Sequence, residues 1–467
     1  MSGDIAVVGL GVMGSNIARN FARNGFKVPI YNIDYSFTEK LLSFEEGKNM
    51  IPCRTYNDIK NCLKKPRKIL MLVTDTAVDV VYRPFMDILE KGDIIIDGGN
   101  SHWKDTERRQ KEVESTGIHF VGMGVSGGAA GALNGPSLMF GGDKEAWEAC
   151  KNILLPIAAK SPEENEPCVA YMGTKGAGHF VKMVHNAIEY SDMQLIAETY
   201  DILKKLFKLD AESIGEIFGK WNNTKLKSYL IHITEIVLKQ KDDQTKKPLV
   251  DMILDRAGQK GTGKWAAQDS FDLGIPTPGF AEAVCARILS SLKNERVEAS
   301  KILQKKPISV TLNGILTITI DDLEKALYSA KIACYAQGLA MIQAASSDYG
   351  YGINCGDCAK VWRGGCIIRA SFLNDVSQNY TDCTKNLMLI DKFSKDLEEG
   401  IEGWRKVVAV CALEGIPAPL FSTSLSYFDS YSSEFLPANL LQGLRDYFGA
   451  HTYERIDKPG SFHTNWD

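Results

Sequence analysis

The chain has 467 residues, a net charge of −4, 24% charged and 44% hydrophobic residues; this is the make-up of an ordinary soluble globular protein, long enough for two or three domains. The small negative balance argues against a general nucleic-acid binder while leaving room for a local phosphate pocket. No apolar run approaches the ~20 residues that span a bilayer, and 11 cysteines, an odd number, without a secretory leader point to a cytoplasmic, reducing setting with mostly free thiols.

In chain order, Ile5-Ala-Val-Val8 reads as a buried strand. It runs into Gly9-Leu10-Gly11-Val12-Met13-Gly14 and then a helical stretch from Ser15. This is G-x-G-x-x-G in its required strand–turn–helix setting, where backbone N–H groups approach a pyrophosphate at a helix N-terminus. Further strands are expected at 27–31, 68–73, 93–97 and 118–122, with a helix from Thr106 to Ser115 between the last two. Strands alternating with helices predict a doubly wound parallel sheet, with ligands outside the carboxyl ends of its strands. Asn100 and Ser126-Gly127-Gly128 stand at such ends, where they read as ligand contacts or as plain tight turns.

From Gly178 the pattern turns 3.6-periodic, predicting helices at 178–208, 211–219, 223–240, 281–304, 322–347, 354–377 and 394–414. In the first of these, Lys182, His185, Asn186, Glu189 and Tyr190 recur at i, i+3, i+4, i+7 and i+8, the spacing of one helix face. On a surface helix this would be a solvated stripe. On a buried helix it must line a polar cavity, because buried charges need partners. Alternating apolar residues around Asn313-Gly314 predict a β-hairpin over 308–320. From about 435 the chain is expected to be irregular, fraying or docking on another surface.

Outside the stripe, Gly258-Gln-Lys260-Gly261-Thr262-Gly263-Lys264 is a Gly-rich basic loop, though not a Walker A sequence. Arg287 sits in an apolar helical stretch, where a lone guanidinium needs an anion. Arg445 and His451 add cationic candidates in the tail. Cys355-Gly-Asp-Cys358 has no second pair at zinc spacing and Cys366 reads as helical, so these are taken as free thiols with no metal.

These residues resemble the 6-phosphogluconate dehydrogenase family over nearly the whole chain. The resemblance includes Gly9–Gly14, Asp97-Gly-Gly-Asn100, Val125-Ser-Gly-Gly128, Phe180-Val-Lys-Met-Val-His-Asn186, Ile188-Glu-Tyr190 and Lys260-Gly-Thr-Gly-Lys-Trp265. It continues through Trp362-Arg-Gly-Gly-Cys-Ile-Ile-Arg369 and Arg445-Asp-Tyr-Phe-Gly-Ala-His-Thr-Tyr453. It implies an α/β Rossmann-like domain (1–176), a large all-α substrate and dimerisation domain (177–434) and a tail (435–467) that reaches the partner of a homodimer. Also implied is oxidative decarboxylation of 6-phospho-D-gluconate to ribulose 5-phosphate, with Lys182 as general base and Glu189 as the acid that protonates C1. Asn100, Ser126, Gly127, Gly128, His185 and Asn186 would hold the sugar acid. Tyr190, Lys260, Thr262 and Arg287, with Arg445 and His451 from the partner, would surround its phosphate. The cofactor would lie along Gly9–Gly14, Asn32, Ile33, Asp34, Val73, Thr74, Asp75 and Asn100.

NADP is the cofactor the resemblance implies. The family's Asn-Arg-Thr is here Asn32-Ile33-Asp34, and its Val-Lys-Ala-Gly is Val73-Thr74-Asp75-Thr76. Two positive charges are lost and a carboxylate gained near the 2′-phosphate, so NAD stays open. Ala129 and Leu133 likewise replace a Glu and an Arg of the family. Two other readings stand beside the enzyme: a β-hydroxyacid dehydrogenase for an unphosphorylated acid, and a non-catalytic paralogue that binds sugar phosphate or nucleotide.

Overall fold

The computed structural model describes residues 2–303, 305–306, 317–380 and 385–466. Its N-terminal part is built on an eight-stranded sheet of β1 (Ala6–Val8), β2 (Val28–Tyr31), β3 (Met50–Pro52), β4 (Lys68–Met71), β5 (Ile94–Asp97), β6 (His119–Ser126), β7 (Ser137–Gly141) and β8 (Val169–Gly173). The order is β3-β2-β1-β4-β5-β6-β7-β8. The first six strands pair in parallel. Strands such as Ile94-Ile-Ile-Asp97 are buried throughout, as expected where helices cover both faces of a parallel sheet.

The sheet departs from the expected all-parallel form at one place. β7 runs antiparallel to β6, with Val125 opposite Leu138 and Ser126 opposite Ser137, and β8 is again parallel to β7. β6 also extends to Ser126, past the end expected at Gly122. Because β2 and β4 flank β1 and the chain then winds outward in both directions, the crevice opens at the carboxyl ends of β1 and β4. The Gly9–Gly14 turn and Val73-Thr74-Asp75 are at those ends.

The rest of the described chain is mainly helical. Its centre is the helix Ala177–Lys205, every residue of which from Ala177 to Ile188 is buried. The helix Ile320–Asp348 packs along it, and Asp391–Glu414 packs on that in turn. A helix apolar on most sides belongs inside a core, and Phe180, Val184, Ile188, Leu195 and Ile202 join one cluster with Ala330, Leu339 and Ile342.

Several boundaries differ from the periodicity. The stretch 223–240 becomes a turn followed by the helix Tyr229–Lys239, whose Ser228 caps Ile231 N–H. The stretch 281–304 splits at Leu292 into Pro278–Ser291 and Lys293–Ile302. The stretch 354–377 is two helices, Cys355–Trp362 and Phe372–Asn379, separated by a loop that contains Gly364-Gly365. Cys366 is therefore in a loop and not on a helix. The hairpin expected over 308–320 falls mostly on 308–316, outside the described residues; Thr317–Thr319 are neither strand nor helix, and Ile320 opens a helix through a Thr319–Asp322 capping box. The short tail, expected to be irregular, carries the helix Ala438–Gly449 and a two-stranded pair, Tyr453–Glu454 with Ser461–Phe462. Buried Asp446 ties it together, accepting from Thr452 N, Thr464 N and Trp466 Nε1.

Candidate active site

The polar stripe is buried. Lys182, His185, Asn186 and Tyr190 are each under a tenth exposed, and Lys182 is 7% exposed. Lys182, Asn186 and Tyr190 line a cleft of about 590 Å3 between the two parts of the chain, together with Asn100, Ser126, Gly127, Gly128, Glu189, Lys260, Thr262 and Arg287, and His185 is fully buried beside Lys182. The solvated-face reading of this helix is thereby excluded.

Lys182 can lie against the sheet because its neighbour on β6 is Gly124. A Cβ there would come within 2.5 Å of Lys182 Cβ. Lys182 Nζ donates to Asn186 Oδ1 at 2.7 Å and lies 3.3 Å from His185 Nδ1. Asn186 Nδ2 donates to Thr262 Oγ1 at 3.1 Å, and His185 Nε2 lies 3.3 Å from Ser126 Oγ. The base candidate is thus held by two neutral partners on its own helix, which are in turn tied to Thr262 and Ser126. Among the described residues no carboxylate forms an ion pair with it.

This arrangement sets the charge states. Burial pushes the Lys182 ammonium below its ordinary range, against the pull of Glu189. Burial raises the Glu189 carboxyl, against the pull of Lys182 and Arg287. His185 is driven well down by burial and by Lys182, so it is neutral at pH 7. A depressed lysine and a raised carboxyl in one cleft form the pattern of a base and an acid that both work near neutrality.

At the other end of the cleft, Arg287 stacks on Tyr190, its guanidinium carbon 3.5 Å from the ring centre, and donates to Gly258 O at 3.1 Å. The Tyr190 hydroxyl accepts from Lys260 N–H at 3.3 Å. The basic loop and Arg287 therefore converge on Tyr190, a ready anion site. Arg445 and His451 are not in this chain's cleft. Both are exposed on the tail, Arg445 donating to Gln442 Oε1 at 3.0 Å and His451 packing against Phe448.

The Gly9–Gly14 loop fits a dinucleotide. A Cβ at Gly14 would fall 1.8 Å from Gly9 O, so the turn demands glycine, while one at Gly11 would meet nothing within 4 Å. Gly11 stands at the open, uncapped N-terminus of the helix Val12–Arg23, and Met13 reaches the substrate cleft itself. Leu10 N–H donates to Asn32 Oδ1 at 2.9 Å, which ties this loop to the end of β2. Beyond it Ile33 is 92% exposed and the Asp34 carboxylate accepts from Ser36 N–H at 3.0 Å. The Ser36 hydroxyl and then its backbone N–H hold Asp34 below the usual carboxylate range. Among the described residues no cation pairs with Asp34; Arg54 stacks 3.7 Å from the ring centre of Tyr35. Thr74 contacts Thr76 at 3.3 Å.

Among the cleft residues Met193 was not singled out in the sequence, and Gln259 and Ile367 stood inside quoted motifs without a role of their own. Ile367 arrives on the loop after Gly364-Gly365, and paired glycines inside an apparent helix were the signal available. The buried Lys331 was legible by the same argument that singled out Arg287, a lone cation within an apolar helical run. No group of three or more His, Cys, Asp or Glu among the described residues is arranged to hold a metal ion, and no described helix is long and apolar enough to cross a membrane.

Known proteins show the same organisation. The family model described as the NAD binding domain of 6-phosphogluconate dehydrogenase matches residues 4–173, and that of the 6-phosphogluconate dehydrogenase C-terminal domain matches 178–466. The NADP(+)-dependent, decarboxylating 6-phosphogluconate dehydrogenase of Bacillus subtilis is 49% identical over 99% of this chain and 98% of its own length. The NAD(+)-dependent, decarboxylating enzyme of the same organism is 47% identical over 100% of both. A solved Plasmodium falciparum 6-phosphogluconate dehydrogenase, described in its apo form and in complexes with NADP+ and with 6-phosphogluconate, superimposes with a TM-score of 0.95 at 43% identity, covering 99% of this chain and 100% of that one.

Proposed function

The chain belongs to the 6-phosphogluconate dehydrogenase family, and from that premise we propose how its own residues carry out the reaction. It is an oxidoreductase that converts 6-phospho-D-gluconate to ribulose 5-phosphate and CO2 with reduction of a nicotinamide dinucleotide. The observation that carries the assignment of roles is a depressed lysine and a raised carboxyl seven residues apart on one buried helix face, both lining the cleft that Met13 of the dinucleotide loop also reaches.

Gly9–Gly14 would seat the pyrophosphate, and Asn32, Val73, Thr74, Asp75 and Asn100 the rest of the cofactor, which would supply the hydride acceptor for C3. Neutral Lys182 takes the proton of the 3-hydroxyl as that carbon is oxidised. Now an ammonium, Lys182 donates to the new C3 carbonyl oxygen, which accepts the electrons of the C1–C2 bond as CO2 departs. No metal is required, because the ketone is the electron sink. Glu189 then gives its proton to the carbon that lost CO2, C2 of the gluconate and C1 of ribulose 5-phosphate, while Lys182 takes back the proton of the hydroxyl on C3; the two carbons are bonded to each other, so one helix face serves both. His185, Asn186, Ser126, Gly127, Gly128 and Asn100 orient the sugar acid. Tyr190, Lys260, Thr262 and Arg287 hold the phosphate.

For the cofactor we favour NAD. Relatives include both NADP- and NAD-dependent enzymes, and here Asp34, with no cation paired to it among the described residues, stands where a 2′-phosphate would need one. A carboxylate at this position suits a free ribose 2′-hydroxyl.

We further propose a homodimer in which Arg445 and His451 complete the partner's phosphate site. Supporting this, the tail exposes Phe435, Leu440, Leu444, Tyr447 and Phe448, with Phe448 72% exposed, an apolar surface too large to leave in water. The divisions at 176 and 434 and a cytoplasmic location complete the proposal. It is tested by following absorbance at 340 nm with 6-phosphogluconate and NAD or NADP while measuring CO2. Dinucleotide reduction with stoichiometric CO2 is expected; binding of the sugar acid without reduction would instead favour a non-catalytic paralogue.

A further inference from the structure

One buried charge pair lies outside the machinery described so far. Asp192 follows Glu189 by three residues on the central helix, so the two side chains are surface neighbours on it, with Cβ atoms about 5–6 Å apart. The Asp192 carboxylate is hydrogen-bonded by the ammonium of Lys331, which the helix Ile320–Asp348 carries. Both residues are at most 5% exposed. Lys331 Nζ also lies 5.1 Å from the ring centre of Tyr335, whose hydroxyl donates to Ile368 O at 3.3 Å, next to the cleft residue Ile367. Fold stability alone gives such a pair little reason to exist, because apolar residues of similar volume are commonly as stable as a buried ion pair.

The pair presents its anionic end to the acid. The charged and titratable groups around Glu189 are Lys182, His185 at 3.8 Å and Asp192 on its own helix, Arg287 from the helix Pro278–Ser291, Lys260 from the basic loop, and Tyr335 from the helix below. Of the charges that act on it, Lys182 and Arg287 favour the carboxylate and Asp192 opposes it. Asp192 is therefore the one fixed anion of this set.

We propose that the buried Asp192–Lys331 ion pair is a positioning element for the reaction, setting a fixed anion one helical turn from Glu189 and so favouring the protonated, donating form of that carboxyl. The inference rests on the reading of Glu189 as the acid. In the step it serves, the O–H bond of Glu189 breaks and a C–H bond forms at C1 of the enediol, while the hydroxyl on the neighbouring carbon returns its proton to Lys182 and becomes the ketone of the product. Repulsion from Asp192 opposes ionisation of Glu189, so the proton stays on the carboxyl until the electron-rich enediol carbon takes it. Lys331 supplies the opposite charge that a buried carboxylate needs.

The test is an Asp192→Asn, Lys331→Met double variant, which removes both charges. Two profiles against pH are read: kcat, and exchange of solvent deuterium into C1 of ribulose 5-phosphate. The alkaline limb of both should move to lower pH by roughly one unit, a loss of roughly tenfold at a fixed pH on that limb. The acid limb, set by Lys182, and the KM for 6-phosphogluconate should hold. Lys331→Arg, which keeps the pair, should retain the original profile. An unmoved alkaline limb in the folded double variant would overturn the proposal, as would an equal shift in Lys331→Arg. If the double variant does not fold, Asp192→Asn alone must show the same movement, and its absence there overturns the proposal as well. Glu189→Gln separates the two readings. Exchange and an alkaline limb that persist in it would remove Glu189 as the acid, whereas their loss in Glu189→Gln with no shift in the double variant would remove only the role of the pair.

Discussion

Lys182 Nζ donates to the side-chain oxygen of Asn186 at 2.7 Å, one helical turn along the same helix. Asn186 passes the contact on to Thr262, at the start of the helix Thr262–Asp272. Among the described residues the base is therefore positioned without an ion pair, and a neutral acceptor lets it give up its proton more readily than a carboxylate would. Lys182→Met should lower kcat about a hundred- to ten-thousand-fold, the usual worth of a positioned general base. Binding of 6-phosphogluconate, measured by calorimetry, should survive. Undiminished turnover would dismiss Lys182 as the base.

The pH profile follows from the two buried groups. Lys182 must be neutral to act, so the rate rises with pH through its lowered pKa. Glu189 must be protonated to donate, so the rate falls through its raised pKa. A bell-shaped kcat profile is expected, with the descending limb absent in Glu189→Gln. A limb that remains in that variant belongs to another group.

Gly124 is expected to be intolerant of any side chain. A methyl placed there meets Lys182 Cβ at 2.5 Å, a distance real Cβ contacts do not reach, so the helix or the lysine must shift. Shifts of this size at a reacting group cost on the order of a hundredfold in rate. Gly124→Ala should fold and bind dinucleotide while losing most of kcat; a fully active variant would show that the helix can retreat freely.

Cofactor choice turns on the loop after β2. Direct binding, read by quenching of protein fluorescence, should favour NAD over NADP in the unaltered chain. The Ile33→Arg, Asp34→Thr pair should move the ratio toward NADP by about tenfold or more, since it removes a carboxylate and supplies a bidentate donor. An unchanged ratio would mean that this loop does not read the 2′ position.

Tail exchange makes a complementation experiment possible. A Lys182→Met chain and an Arg445→Ala, His451→Ala chain should each be nearly inactive alone. Co-refolded, each mixed dimer would hold one whole site, the intact cleft of the second with the intact tail of the first. No recovery in verified mixed dimers would show that the tail does not serve its partner.

Much of the site could be read before any coordinates. The stripe from Lys182 to Tyr190 was visible as helical spacing, the nucleotide loop as glycines after a strand, and Arg287 as a cation out of place. The antiparallel β7 escaped notice because Ser137-Leu-Met-Phe-Gly141 carries no mark of strand direction, and pairing is decided by the neighbour. Cys366 and Ile367 were placed on a helix because periodicity ran on across Gly364-Gly365, although those residues take a loop. The order in the tail rests on Asp446, whose partners lie up to twenty residues away, beyond any local pattern.

The sequence by itself determined which residues could share a helix face and which loop could take a pyrophosphate, because both follow from the 3.6-residue turn and from the steric limits of a Cβ. Only the tertiary structure decided that the face is buried, that Gly124 stands opposite Lys182, and that Lys331 from a distant helix meets Asp192 beneath Glu189. Those facts set protonation states, since desolvation and the charges of neighbours act through space and across elements remote in sequence. A lysine and a glutamate seven residues apart are only a pattern until packing removes the water around them, and it is the removal of that water that turns one into a base and the other into an acid.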